Sequence, residues 1–367
     1  MQDEYDALIK QGTWSLVPPP ENHNIVGCKW VYKLKTHSDG SIARYKAKLV
    51  AKGFHQQQGI NFDETFSPII KPPTVRMILS IAVSLNWPLR QLHVSNAFLH
   101  GILKEEVYMS QPQGYIIAQH PDYVCRLHKS IYGLKQAPKA WFERFTGQLL
   151  QFGFIAPIVD SLLIHLRIKD YHCLPPPICW WYSSHQQHSH IPWLSHSPSQ
   201  LHIWAQGLWT LTLLPWHSGD SWFQGFAFIP SKYATVLLQK HNMTTTKPIS
   251  TPCTPNTRLS LHDSEKLHDP HAYRSLVGAL HYLTFTRPGL SFIVHQVCQY
   301  MASPTSVHLT TAKRILRYLT STLHLGLSFR PGPLTLSAFT DADWAGDPND
   351  RRSTSGLLVY LGPNPIT

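Results

Sequence analysis

The chain has 367 residues, 43% of them hydrophobic, with 32 Lys+Arg against 21 Asp+Glu, a formal charge of +11 and a pI near 9.3. This length exceeds one small domain, and the hydrophobic share excludes an intrinsically disordered chain. The charge fits a polyanionic partner and equally a generally basic surface, so composition leaves both open. Six cysteines (Cys28, Cys125, Cys173, Cys179, Cys253 and Cys298) are scattered without a paired framework, which suits a reducing compartment. The start, "MQDEYDALIKQGTWSLVPPP", has no apolar signal core, and no uncharged apolar run approaches ~20 residues. The expectation is therefore an intracellular protein, cytoplasmic or nuclear, with no membrane partner.

"CKWVYKLK" and "ARYKAKLVAKGF" read as two basic strands joined around Asp39-Gly40, a hairpin signal. In "TVRMILSIAVSLN", Val75, Ile78, Leu79, Ala82 and Val83 follow helical spacing, with Thr74 as the expected N-cap. "QLHVSNAFLHG", Gln91 to Gly101, reads as a short strand entering a tight turn of small residues before Phe98. "EEVYMSQPQGY" reads as a strand and turn, and "SIYGLKQAPKAWFERFTGQLLQFGF" as a Gly/Pro turn opening a helix.

Residues 171–219 contain no Asp, Glu, Lys or Arg, where the 14% chain average would place about seven. They hold six of the twelve tryptophans and many histidines. His185, His188 and His190 lack the repeated Cys/His spacing of a metal site. Translation out of frame explains the segment better. Back-translated and read one nucleotide downstream, "GLWTLTLLPWHSGD" permits Asp-Phe-Gly-Pro-Leu-His-Tyr-Phe-Leu-Gly-Ile-Gln-Val. The same shift on "ICWW" permits Tyr-Val and forces Gly-Gly. The anomaly begins near Asp160 and ends near Ser231, and poor folding is expected across it.

Beyond it, "SPTSVHLTTAKRILRYL" is an amphipathic helix with Leu309, Ala312, Ile315, Leu316 and Leu319 inward and Lys313, Arg314 and Arg317 outward. "LTLSAFTDADWAGDPNDRRSTSGLLVYLG" reads as two strands flanking a polar loop.

Taken together and in order, "CKWVYKLK", "RYKAKLVAKGF", "ETFSPI", "VSNAFLHG", "VYMSQPQGY", "IYGLKQAPKAW", "YRSLVGALHYLTFTRP", "AKRILRYL" and "TDADWAGDPNDRRSTSG" resemble the Pol polyprotein of copia-type long-terminal-repeat retrotransposons. The resemblance covers the reverse transcriptase region and the start of the ribonuclease H region. It implies an α+β right-hand polymerase fold. Residues 1–159 would be fingers and the first part of the palm, 160–230 the anomalous segment in place of the central palm, 231–332 a thumb/connection-like helical region, and 333–367 the N-terminal part of a ribonuclease H-like domain.

The implied activity is RNA-directed DNA polymerisation with two Mg²⁺ ions, a primer–template of RNA or DNA, and deoxynucleoside triphosphates. Several residues then acquire expected roles. His93 stands where the family has its first metal aspartate, and a neutral imidazole is a poor ligand for this hard cation. The family's Tyr-Val-Asp-Asp turn is absent from the chain. No intact metal site is therefore expected, although Mg²⁺ is the family's cofactor. Phe98 resembles the gate that excludes a 2′-hydroxyl. Arg44, Lys46 and Lys48 resemble the triphosphate-contacting finger strand, with a solvated basic face as the alternative. Gly133, Lys135 and Pro138 resemble the turn supporting the template base and nucleotide. Asp341 resembles the first ribonuclease H carboxylate, in an incomplete site, while Asp343, Asp347 and Asp350 fit a solvated loop. Gly289 replaces the family's usual aspartate after "TRP", a loss of about 1 kcal/mol if that aspartate caps a helix. The expected state is a reverse transcriptase domain that no longer polymerises. The alternatives are a non-enzymatic nucleic-acid-binding remnant and, if the gene model is wrong or the allele unusual, an active polymerase.

Overall fold

The computed structural model describes residues 1–21, 23–36, 41–68, 70–87, 96–151, 154–155, 163–166, 178–179, 210–214, 225–254, 258–262 and 264–367. In chain order these form α1 (Gln2–Lys10), β1 (Trp14–Val17), β2 (Ile25–Val26), β3 (Cys28–Thr36), β4 (Ile42–Ala51), α2 (Pro72–Ser84), β5 (Ile102–Ser110), β6 (Val124–Lys129) and α3 (Ala137–Gln151). There follow β7 (Phe154–Ile155), β8 (Leu163–Leu166), β9 (Ile178–Cys179), β10 (Thr210–Leu214), β11 (Gly225–Ile229), α4 (Ser231–Lys240), α5 (Pro270–Leu283), α6 (Ser291–Gln299) and α7 (Ser306–Ser321). The last strands are β12 (Leu327–Phe329), β13 (Leu336–Ala342), β14 (Ser355–Leu361) and β15 (Asn364–Pro365). The architecture is mixed α and β. Two compact units are drawn mainly from Met1–Ile69 with Leu92–Trp180, and from Ile70–Gln91 with Leu194–Thr367.

In the first unit, α1 begins with Asp3 and Glu4 and ends with Lys10, a charge order that complements the helix dipole. Gly12, at φ +62°, closes it. Its amide donates to Ile9 O and that of Thr13 to Leu8 O, a Schellman arrangement. The sheet runs β1-β6-β5-β2, antiparallel except for β2 beside β5. The basic strands pair as expected, Cys28 opposite Ala51 through Lys35 opposite Arg44, while the Asp39-Gly40 turn lies outside the described residues. Leu8, Val26, Leu49, Leu99, Val107, Met109, Leu127, Ile131 and Leu134 form one core. Burying each such side chain contributes about 1.5–3 kcal/mol. Gly101 lets α3 approach, since a Cβ there would sit 2.8 Å from Trp141 N.

In the second unit, α4 to α7 enclose Tyr273, Leu276, Val277, Leu280, Val294, Val297, Ala312, Ile315, Leu316 and Leu319. The inward face expected for α7 is thus buried, with Leu309 packed at its edge. Thr305 and His308 form its capping box. Of the outward cations, Lys313 is exposed, but Arg314 and Arg317 are half-buried. They donate to Thr251 Oγ1 at 3.0 Å and Lys247 O at 2.9 Å, pinning a loop instead of facing solvent alone.

Helix α2 corrects one expectation. Its N-cap is Lys71, not Thr74, because Pro72 and Pro73 fit the first turn, where no amide donor is needed. Val75, Ile78 and Ala82 are buried, and Leu79 and Val83 pack against Phe226, Leu327 and Phe329. Arg76 is buried as well. Its guanidinium donates to Phe285 O at 2.7 Å, Ile366 O at 3.3 Å and Thr284 O at 3.4 Å.

Most of residues 160–230 lies outside the described residues. The expectation of poor folding does not extend to β11, which pairs with β10 and β12 and stacks Phe226 on Phe329 at 5.1 Å. Alternating aromatics there supply the apolar surface a strand needs. No helix among the described residues is long and apolar enough to cross a membrane.

Candidate functional site

The site is built on the turn that opens at Asn96. His93 lies outside the described residues. From Asn96, at φ +51°, the chain makes a 3₁₀ turn over Ala97–His100. Leu99 points into the core, and Phe98 stays half-buried at its rim. Two bonds lock this turn: Ser130 Oγ donates to Phe98 O, and Ser130 N donates to Gly101 O at 2.8 Å. The Ser130 turn therefore fixes where the Phe98 ring can stand.

Tyr132, two residues on, joins the parts. Its ring meets Phe98 edge-on at 5.4 Å, and its hydroxyl donates to Asn96 Oδ1 at 3.4 Å. Lys48 Nζ lies 3.5 Å above the same ring, a cation–π contact. The next residue is Gly133 at φ +90°. A Cβ there would lie 2.2 Å from Ala51 O and 2.7 Å from Val50 Cγ1. Ala51 N donates to Tyr132 O at 2.7 Å, so the turn is laid directly on β4.

Lys46 and Lys48, two residues apart, share one face of β4, and α1 packs against this strand. Lys46 is 9% exposed and Glu4 8% exposed. Burial holds the Glu4 carboxyl above its ordinary pKa despite the attraction of Lys48 and Lys46. Burial, then Lys46, bring the Lys48 ammonium down to about 8, and burial pushes Tyr132 up to about 12. Desolvation outweighs the attraction of opposite charge at Glu4 and at Lys48, and at Tyr132 it acts in the same direction as the Glu4 carboxylate. Glu4 Oε1 has no hydrogen-bond partner. Lys46 and Lys48 are thus not a solvated face, whereas Arg44 lies further out and half-buried.

Lys135 is tied down by Gln56. Its amide donates to Gln56 Oε1 at 2.8 Å, its Nζ to Gln56 O at 3.2 Å, and the ammonium lies 4.8 Å from the Phe62 ring centroid. Pro138 O accepts from Ser67 Oγ at 3.5 Å. The structure brings together Phe98, Lys46, Lys48 and Gly133, and adds three residues that sequence reasoning missed: Tyr132, Glu4 and Asn96. The signal for Tyr132 was its place beside Gly133 in "IYGLK"; nothing marked Glu4.

Asp341 lies on exposed β13 of the second unit, opposite Gly356, with Oδ1 accepting from Ala342 N at 2.9 Å. In the following loop Asp347 Oδ1 accepts from Asn349 N at 2.7 Å, which holds its carboxyl below the usual range. Asp343 Oδ1 accepts from Thr354 N, and Asp350 pairs with Arg352 at 3.2 Å. These carboxylates serve the loop backbone. Among the described residues no three His, Cys, Asp or Glu side chains converge as a metal-holding group. At the Phe98 turn Tyr132 joins the Lys48 ammonium and the Asn96 side-chain amide, a cation and one neutral oxygen, which do not fit a Mg²⁺ ion that wants several oxygen ligands. His185, His188 and His190 lie outside the described residues.

Residues 11–165 match the family described as reverse transcriptase (RNA-dependent DNA polymerase). Curated relatives include the retrovirus-related Pol polyproteins of transposons RE1 and RE2 of Arabidopsis thaliana, each 43% identical across 100% of this chain and 25% of the relative. That of transposon TNT 1-94 of Nicotiana tabacum is 35% identical across 100% of this chain and 28% of the relative. The chain spans about a quarter of the length of these relatives. No solved structure matches it. Similarity sustained over the whole chain, with the family match spanning β3, β4, the Phe98 turn and the Gly133 turn, shows that the chain belongs to the copia-type retrotransposon Pol polyproteins as their reverse transcriptase region.

Proposed function

We propose that this chain is a nucleic-acid-binding derivative of a reverse transcriptase in which DNA polymerisation has been lost. In this reading the mixed α and β architecture is a right-hand polymerase fold. Residues 1–159 are fingers and first palm, 231–332 thumb and connection, and 333–367 the first strands of a ribonuclease H-like unit around Asp341. Residues 160–230 stand in place of the central palm. Phe98 is the sugar gate by descent. Arg44, Lys46, Lys48, Gly133 and Lys135 frame the ancestral nucleotide site, and primer–template is the partner.

One combination carries the reading. The hairpin, the Phe98 turn and the Gly133 turn are joined through Tyr132, while position 93 holds histidine and the sequence has no Tyr-Val-Asp-Asp turn. Binding needs only the basic scaffold, since phosphate contacts act by charge. Polymerisation needs Mg²⁺ held by carboxylates, and losing one such ligand usually costs orders of magnitude in rate. The test is primer extension on primed RNA with Mg²⁺ and deoxynucleoside triphosphates, alongside binding of the same primer–template over a salt series. The reading expects salt-dependent binding and no extension. Extension would overturn it, as would the absence of binding at low salt.

A further inference from the structure

The capping box of α7 is closed by a histidine, where such a box ordinarily carries Glu or Gln. His308 and Thr305 are both fully buried. Thr305 N donates to His308 Nδ1 at 2.9 Å, and His308 Nε2 stands 3.1 Å from Ser260 O. An amide can only donate and a carbonyl can only accept. The ring is therefore the neutral tautomer with its proton on Nε2, and both nitrogens are in use. One face of the ring lies on Tyr300, with centroids 3.9 Å apart and planes 14° from parallel. The Tyr300 hydroxyl in turn donates to Leu259 O at 2.7 Å. Asn349 ties the β13–β14 loop to the same segment, its Oδ1 accepting from Ser260 Oγ at 3.1 Å and from Leu261 N at 3.0 Å. One imidazole thus joins the first turn of α7, the segment around Ser260 and, through Asn349, the β13–β14 loop.

We propose that His308 is a pH-sensitive clasp: uptake of one proton from solvent opens the first turn of α7 and frees the Ser260 segment together with the β13–β14 loop. A proton on Nδ1 turns the acceptor of the Thr305 amide into a donor that faces it. Thr305 Oγ1, 3.1 Å from Nδ1, can take the new proton, but it already accepts from the α7 backbone. The Thr305 amide is then left buried without its bond, a cost that opening to water removes. Stacking on Tyr300 favours a cation but supplies no acceptor for that amide. Among the described residues, the titratable and charged groups on the surrounding elements include Tyr300, Arg258 and His262 on either side of Ser260, Glu265 and Lys266 next to the residues bonded to the start of α7, and Asp347 on the β13–β14 loop. Arg258, His262, Glu265 and Lys266 are exposed, where water and salt screen them. Asp347 Oδ1 accepts from Asn349 N and Asp350 N of its own loop, and Arg274 of α5 donates to the carbonyls of Met301 and Ala302. Opening hands the ring to water, where an imidazole titrates near about 6.5. The open form then takes the proton that the closed form refuses, so opening gains up to about tenfold per pH unit below that value, and about 30-fold between pH 7.5 and pH 5.

The test follows hydrogen exchange of the full chain between pH 7.5 and pH 5, resolved to single amides by mass spectrometry and corrected for the intrinsic pH dependence of exchange. Protection at the Thr305 and Leu261 amides should fall by about 30-fold, while Val277 and Leu280 in the middle of α5 keep theirs. His308→Gln should flatten the pH dependence, since its Oε1 can accept from Thr305 N and its amide can donate toward Ser260 O, and it does not titrate. Asn349→Ala should lower Leu261 protection at every pH and leave the pH dependence at Thr305 as in wild type. A fall that persists in His308→Gln refutes the clasp, as does a wild type whose Thr305 protection is flat. Loss of α5 protection in step with Thr305 also refutes it, because the unit then unfolds as a whole. A second measurement needs no variant. By NMR the wild-type His308 ring should keep its Nε2–H form while Thr305 stays protected, and should gain its second proton only as that protection is lost. A doubly protonated ring beside a protected Thr305 amide overturns the proposal.

Discussion

Gly133→Ala is the sharpest perturbation of the site that leaves every functional side chain in place. At φ +90° the backbone sits in a region an L-residue occupies at a cost of about 1–3 kcal/mol. The new methyl would also lie 2.2 Å from Ala51 O and 2.7 Å from Val50 Cγ1. Backbone cannot move aside like a flexible side chain, and overpacking of this kind costs about 1–3 kcal/mol more. The two effects together come to about 4 kcal/mol, a large part of the roughly 5–15 kcal/mol that holds a typical domain. With a urea m-value of about 2 kcal/mol/M, the midpoint should fall by about 2 M. Gly12→Ala is the control. Gly12 also has positive φ, at +62°, but nothing lies within 4 Å of its Cβ, so only the backbone cost of about 1–2 kcal/mol applies. Urea unfolding followed by circular dichroism measures both variants. Hydrogen exchange at the Ala51 amide reports the local bond to Tyr132 O. A Gly133→Ala variant no less stable than Gly12→Ala, or one with unchanged Ala51 protection, would refute the account of how the turn is held on β4.

Other predictions concern charge and capping. Lys48 titrates near 8 in the folded protein, below its unfolded value of 10.5, so between these limits the unfolded chain binds more protons and stability rises with pH. Lys48→Met should remove that rise from a stability–pH profile. Glu4 is shifted the other way, so its folded form keeps the proton longer. Its contribution to stability declines as pH climbs through the range above 4.5, and Glu4→Gln should abolish that decline. Arg76→Met should destabilise the second unit by about 2–4 kcal/mol, because it strands the carbonyls of Phe285, Thr284 and Ile366, and Arg76→Lys should recover little of it in thermal unfolding. Gly289 is exposed, with nothing near its Cβ, just before α6, whose Leu290 N-cap offers no side-chain acceptor. Gly289→Asp places a carboxylate beside the N-terminal end of α6 and should raise stability by about 0.3–1 kcal/mol, and Gly289→Ala should not match it.

What the sequence made legible was periodic. The faces of α2 and α7, the hairpin strands and the start of α3 follow from spacing and turn residues, because apolar periodicity is imposed by the core those faces meet. The start of α2 was misplaced because Thr74 has the chemistry of a cap, while the paired prolines already satisfy the first turn. The inward turn of Lys46 and Lys48 was not legible. It depends on α1, a short helix whose own pattern is weak, lying across β4 and placing Glu4 against both lysines. Tyr132 was missed for the same reason: its role is to touch Phe98, Asn96 and Lys48, residues 34 to 84 positions away in the chain. Identity was legible where geometry was not, since ordered motifs record descent whatever the packing does.

The central claim is that binding has outlived polymerisation. The most direct measurement incubates the full chain with a labelled primer on an RNA template, with Mg²⁺ and all four deoxynucleoside triphosphates, and reads complex formation and primer length in the same samples across a NaCl series. The account predicts a complex whose log affinity falls linearly with log salt and a primer that stays at its starting length. A lengthened primer, or no complex at the lowest salt, would contradict it.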